Sequence, residues 1–307
     1  MHIKHLSFTL LFLAFGLIAN AQLSLKKTEG GIKIIDGNKS VLAYQASPNS
    51  TEGRYERCNY IHPLWGLDGK VLTEDFPADH LHHRGIFWAW HQVWIGDKRI
   101  GDPWAIVDFE QDVIELEFIK SRSGAVQIET EVEWKSGKWR VAGKKVPYIK
   151  EFTKITVNKI VGNYRKIDFE IKLKALEKGL KIGGSEDIKG YSGFSVRMAL
   201  PEDVTFSGTE GEVVPEVTVV KSDGYVNIWG SVGVNGKKGG IVILDNPENP
   251  GYPQPWILRS KNSMQNAAYP GNKLISVPTN QFLVLKYSLL VYSGKMSDKK
   301  ISKISGF

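Results

Sequence analysis

Apolar and polar residues alternate with a period of two through most of the chain. Ile32, Ile34 and Ile35, the turn signal Asp36-Gly37-Asn38, and then Val41, Leu42 and Tyr44 predict a hairpin. Between Val113 and Lys174 the alternation recurs several times. Val126, Ile128, Thr130, Val132 and Trp134 share one face before the Ser136-Gly137 turn, and Ile167, Phe169, Ile171 and Leu173 share another, with Asp168, Glu170, Lys172 and Lys174 opposite. Phe282, Val284, Lys286, Ser288 and Leu290 repeat the habit. Strands with one wet and one buried side belong to antiparallel sheets. No long segment has helical spacing, and Ala175-Leu176-Glu177 is at most a short turn. The expected fold is all-β, a large antiparallel two-sheet sandwich of supersandwich type, formed as one domain by residues 22–307.

The first 21 residues stand apart. Lys4 precedes an almost wholly apolar run from Leu6 to Ile18, which closes on the small-x-small pattern Ala19-Asn20-Ala21. This is the form of a signal peptide cleaved after Ala21, and it places the mature chain in the periplasm or outside the cell. The run is short for a membrane span, and no later segment reads as one.

Composition narrows the class further. A 307-residue chain with 42% hydrophobic and 24% charged residues is neither disordered, collagen-like nor coiled-coil. The net charge is +7, but acidic and basic residues interleave instead of forming one basic stripe, so no nucleic-acid partner is expected. Cys58, the single cysteine, allows no internal disulfide and reads as a buried small hydrophobe.

The candidate chemistry is concentrated between His62 and Trp104. All five histidines beyond the leader (His62, His80, His82, His83 and His91) and five of the nine tryptophans lie there. In Asp79-His80-Leu81-His82-His83-Arg84-Gly85, an extended backbone would place His80, His82 and Arg84 on one face and Asp79, Leu81 and His83 on the other. Imidazoles beside a guanidinium can move a proton, bind an anion or ligate a metal, or simply form a buried polar network that orders a loop. His80 and His82 are the pair at which a metal would bind. Arg84 on the same face would repel a dication, and no histidine follows His91, so no metal cofactor is expected.

The next run, Trp88 to Trp94, places Trp88, Trp90, Gln92 and Trp94 on one face, a row suited to a core between sheets or to stacking on sugar rings. His91, on the other face, reads as a structural histidine. Two later segments can complete a site. Gly183-Gly184-Ser185-Glu186-Asp187 leads to Gly190 and on to Arg197, bringing acidic groups beside an arginine. The proline-rich stretch from Asp245 to Trp256 holds Asn249 and is followed by Arg259. The His block, the Gly190 loop and the proline-rich loop are expected to converge on one cleft.

Taken together, Pro63-Leu64-Trp65-Gly66, Asp75 through Gly85, Gly190-Tyr191-Ser192-Gly193-Phe194 and Asn246-Pro247-Glu248-Asn249-Pro250 resemble the bacterial methane oxygenase PmoA-like family, a domain of unknown function. The resemblance runs over most of the chain beyond the leader. It implies an exported protein of glycan-degrading bacteria, often encoded near sugar oxidoreductases, and brings no catalytic residues with it. Methane oxidation by a membrane enzyme would need transmembrane helices that this sequence lacks after residue 21.

The reading that follows is a carbohydrate-active enzyme (hydrolase, lyase or epimerase). His80, His82 or His83 would move the proton, and Arg84 and Arg197 would hold a carboxylate or oxyanion, so the ligand could be acidic. Trp256 would stack a sugar, and Asp79, Glu186, Asp187, Asn249 and Arg259 would supply further contacts. The alternative is a non-catalytic glycan-binding protein using the same residues.

Overall fold

The structure is a computed structural model that describes residues 22–306; the expected leader lies outside the described residues. Two antiparallel sheets dominate, as the alternation predicts. One has eight strands in the order Leu23–Thr28, Gly31–Asp36, Lys39–Gln45, Tyr60–Leu64, Ile86–Trp90, Ser192–Val196, Gln265–Ala267 and Trp256–Ile257. The other has nine, and its centre is built from Ile149–Val161, Tyr164–Ala175, Leu283–Ser293 and Gly239–Asp245. Along Tyr164–Ala175 buried and half-buried residues alternate without a break, and Val126–Lys135 does the same. Period-two patterning therefore becomes one face in the core and one toward water.

The inner faces meet through large side chains. Phe194 of the eight-stranded sheet lies 4.9 Å from Phe169 and 4.7 Å from Tyr287 of the nine-stranded sheet, ring centre to ring centre, and Trp90 lies 5.9 Å from Trp134. Glu151 is buried among them. Burial raises its pKa, while Asn59 Nδ2, Thr153 Oγ1, Trp134 Nε1 and Trp88 Nε1 all donate to its carboxylate at 2.7–2.9 Å. A buried carboxylate with this many donors ties two layers together instead of presenting a reactive group.

The tryptophan row differs from expectation. Residues 88–94 do not form one strand: the chain bends at His91, leaves the eight-stranded sheet, and enters a four-stranded sheet as Gln92–Ile95. Trp88 and Trp90 fill the sandwich core, whereas Trp94 is half-buried and donates to Gln92 Oε1 at 3.2 Å. Between the core-facing Trp88 and its neighbours, Phe87 and Ala89 point the other way. There they join Tyr60, Trp104 and Met264 in a separate apolar cluster, with Tyr191 packed against it. This second cluster is the floor on which the histidines sit.

One short helix, Asp298–Ser305, closes the described chain. Ser297 caps it, and Ile301 is buried in a small cluster with Leu290 and Tyr292.

Candidate functional site

The His block is not extended. His80 N donates to Pro77 O at 3.0 Å and His83 N donates to His80 O at 2.9 Å, so two successive turns replace the strand. This corrects the expected facing. His83 does not point away from its neighbours, and Arg84 does not share a face with His80 and His82. The turns gather the imidazoles instead. The His80 and His83 rings stack at 4.6 Å with an interplanar angle of 6°, and His82 stands edge-on to both, at 5.7 Å from His80 and 4.6 Å from His83.

The nitrogens of the stacked pair are held in opposite states. His80 Nδ1 lies 2.6 Å from Asp79 Oδ2. Burial would raise the Asp79 carboxyl, but hydrogen bonds from Arg197 and His80 outweigh it and hold the pKa down at about 2. The carboxylate can only accept, so His80 Nδ1 carries the proton, and its Nε2 lone pair is free in the neutral ring. His83 Nδ1 lies 3.1 Å from Arg197 Nη1, and a guanidinium can only donate. His83 Nδ1 therefore accepts, and its proton is on Nε2. Burial, then the neighbouring His82, His80 and Arg197, lower the His83 pKa to about 2. Burial and the charges of His80, His91 and Arg57 lower His82 to about 4. Both rings are neutral at physiological pH.

Arg197, 2% exposed, organises this arrangement. It sits on the strand-end carbonyl of Gly85 through its own N–H at 2.7 Å, donates from Nε to Glu74 Oε2 at 2.7 Å, and donates from both terminal nitrogens to Asp79 at 2.8 and 2.9 Å. Two protein carboxylates already occupy it, so it positions Asp79 and His83 and does not hold a ligand's carboxylate.

Arg84 is a structural residue. It is fully buried between the Tyr60 and Phe76 rings, at 4.5 and 3.6 Å from their centres. Its guanidinium donates to Asp75, to Asn49 O at 3.0 Å, to Tyr55 O at 2.8 Å and to the Tyr60 hydroxyl. All five donors a guanidinium owns are engaged, and none is left for a substrate oxyanion.

Among the other expected residues, the structure separates those near the histidines from those far away. Trp256 is fully buried and donates from Nε1 to Ser222 O at 2.8 Å, so no face is open to a sugar. Asn249 is buried too. It donates to Asp245 Oδ1 and Lys286 O, both at 2.7 Å, and accepts from Lys286 N at 2.6 Å, which fastens the proline-rich loop to the nine-stranded sheet. That loop does not join the histidines. Asp187 closes its own turn by accepting from Ser185 Oγ at 2.7 Å and Lys189 N at 3.0 Å. Glu186 pairs with Arg99 at 3.2 Å, so the two acids do not form a hydrolytic pair. Arg259 donates to the Tyr191 hydroxyl at 3.1 Å and to backbone carbonyls of Glu216 and Val217.

The Gly190 loop does reach the histidines. Tyr191 packs 5.6 Å from Trp104, and Trp104 lies edge-on to His83 at 6.3 Å. Glu74, Trp104, Tyr191 and the half-buried Tyr55, 6.4 Å from His82, complete the neighbourhood, and none was singled out as a site residue. Tyr191 stood within a quoted motif and Trp104 within the His-rich region. Glu74 carried no local signal.

A family model matches residues 32–305. The chain belongs to DUF6807, a family of unknown function. The match lends no support to a PmoA-like relationship. No curated protein and no solved structure matches this DUF6807 chain. Among its described residues no helix is long and apolar enough to cross a membrane, and no group of three His, Cys, Asp or Glu side chains is arranged to hold a metal ion. The DUF6807 site as built is a carboxylate-braced, partly exposed imidazole with a free lone pair, stacked on a buried imidazole that carries its proton on Nε2, a pairing compatible with proton chemistry.

Proposed function

We propose that this protein acts on a carbohydrate or sugar derivative by histidine-mediated acid–base chemistry, with His80 as base, braced by Asp79, and His83 as the N–H donor. The observation that carries the reading is the pair of opposite proton states imposed on two stacked rings, by Asp79 on one side and Arg197 on the other. Neighbouring groups with different proton roles are what acid–base catalysis requires. Because Arg84 and Arg197 already face protein carboxylates, the ligand is held through hydroxyls and not through an acidic group. Export after Ala21, into a compartment where glycans are met, and the PmoA-like resemblance of the His block belong with this reading.

The test is turnover of a panel of neutral and acidic glycans by the mature chain and by the His80→Ala and His83→Ala variants. The expected result is turnover by the unaltered chain and a loss of about 10²–10⁴-fold in each variant. No turnover across the panel, or variants as active as the parent, rejects the enzymatic reading. Tyr55 and Tyr191, half-buried beside the cluster, support the second reading, a glycan-binding protein. In that case binding without turnover is found, and it weakens at the tyrosines.

A further inference from the structure

His91 was expected to be a structural residue, yet its surroundings repeat those of His80. His91 Nδ1 lies 2.9 Å from Asp102 Oδ2, as His80 Nδ1 lies against Asp79. Asp102 is itself fixed: its other oxygen accepts from Ala105 N at 2.8 Å, and its backbone pairs with Val107 in both directions. Arg99 donates to the His91 carbonyl at 2.8 Å and reaches Asp102 at 3.7 Å and Glu186 at 3.2 Å, so the brace is backed by a second layer of charge. The same short loop supplies Trp104, whose ring stacks on His91 at 5.5 Å and meets His83 edge-on at 6.3 Å. His91 keeps 23% of its side chain exposed and His80 keeps 45%. In both, the carboxylate takes the Nδ1 side and leaves Nε2 free.

We propose that His91, braced by Asp102, is a second proton-transfer residue of the same site, separated from the His80 group by Trp104. This rests on the acid–base reading above and adds to it a braced imidazole that, unlike the buried His83, can exchange its proton with water. His82 stands edge-on to His80 at 5.7 Å and to His83 at 4.6 Å, on the His80 side of Trp104. One braced imidazole takes a proton from the ligand, forming its Nε2–H bond as the ligand's bond to hydrogen breaks. The other, entering as imidazolium, breaks its Nε2–H bond and returns a proton to the ligand. Exchange with water restores both rings, and no oxidant or metal enters the balance. The reaction class is one in which a substrate loses a proton at one position and gains one at another. Trp104, 2% exposed, is the rigid spacer and not the platform.

A histidine that merely pins the bend after Trp90 would make the same contact with Asp102, so the experiment must read more than folding. Diethyl pyrocarbonate acylates an unprotonated, accessible imidazole nitrogen, with release of ethanol and carbon dioxide. Applied to the folded mature chain and read by peptide mass spectrometry, it is expected to modify His80 and His91 and to spare His83, whose only lone pair faces Arg197. On the glycan the parent turns over, His91→Gln and the size-matched Asp102→Asn are expected to lower kcat by about 10²-fold or more, with KM within about twofold. Modification of His80 without His91, or a His91→Gln variant with parental kcat, overturns the second group and leaves the first reading standing. A His80→Ala variant with parental turnover overturns the acid–base reading itself, and this inference with it.

Discussion

Glu74 and Asp75 are neighbours in sequence, and each takes one buried guanidinium: Arg197 for Glu74, Arg84 for Asp75. The two ion pairs share a backbone ladder, in which Asp75 bridges Arg84 and Glu74 N donates to Arg197 O at 3.0 Å. They differ in where the remaining donors go. Those of Arg84 end on two carbonyls and a buried tyrosine hydroxyl, groups that neither titrate near neutrality nor touch solvent chemistry. Those of Arg197 end on Asp79 and His83, and through Asp79 on the half-exposed His80. A buried arginine thus becomes part of the histidine cluster through its partners' partners, and its own burial says little about which kind it is.

The comparison is broken most severely by removing the cation from the closed knot. Arg84→Met leaves Asp75 and two carbonyls without their donor, and a loss of about 3–5 kcal/mol is expected in urea unfolding. A loss below about 1 kcal/mol would show that the knot is not structural. Arg197→Met is expected to cost less, about 2–3 kcal/mol, because Glu74 and Asp79 keep 39% and 28% of their side chains exposed and can rehydrate. It carries a second signature absent from the Arg84 variant. Nitrogen-15 NMR should show His83 no longer confined to its Nε2–H form.

A pH series sharpens the contrast without mutation. The pKa values of His82 and His83 are lowered in the folded chain, to about 4 and about 2, against 6.5 for a free imidazole. As pH falls below that ordinary value, the unfolded chain binds protons that the folded chain refuses. Stability therefore declines from about pH 6.5 toward 4, with each of the two groups contributing up to about 1.4 kcal/mol per pH unit. Asp79, held at about 2, adds a loss of the same sign only below the ordinary carboxylate range. Urea midpoints at pH 7, 6 and 5 should fall in the parent and flatten in a His82→Gln, His83→Gln double variant. An equally steep fall in that variant would place the acid sensitivity elsewhere. The smallest effect is expected at Glu186→Gln, within about 0.5 kcal/mol, because its pair with Arg99 is exposed.

The sandwich was legible because period-two patterning is a local property, and Tyr164–Ala175 carries twelve residues of it. The break at His91 was not, since Trp88 to Trp94 reads as one apolar-rich run while its two halves pair with different partners, Ser192–Val196 and Leu180–Gly183. The His block was found by composition, but its shape was missed. Pro77-Ala78-Asp79 is turn chemistry, and giving the turn precedence over alternation would have grouped the rings. Nothing local distinguishes Arg84 from Arg197, because what separates them is contacts formed at long range. Trp256 and Asn249 failed as ligand contacts for a related reason: a polar-aromatic loop can spend all its groups on itself.

The reach of the Arg197 contacts follows from how the eight-stranded sheet is joined. Its first four strands are met in sequence, and they are linked to the rest through a single residue pair, Ile61 with Ile86. Arg197 lies 118 residues beyond Asp79 and arrives only on the Ser192–Val196 side of that joint. The segment that gathers the three histidines therefore does not itself contain the guanidinium that sets the tautomer of His83 and holds Asp79 against His80. The tautomers of His80 and His83 are in this sense a property of the joined sheet and not of the segment that carries the histidines.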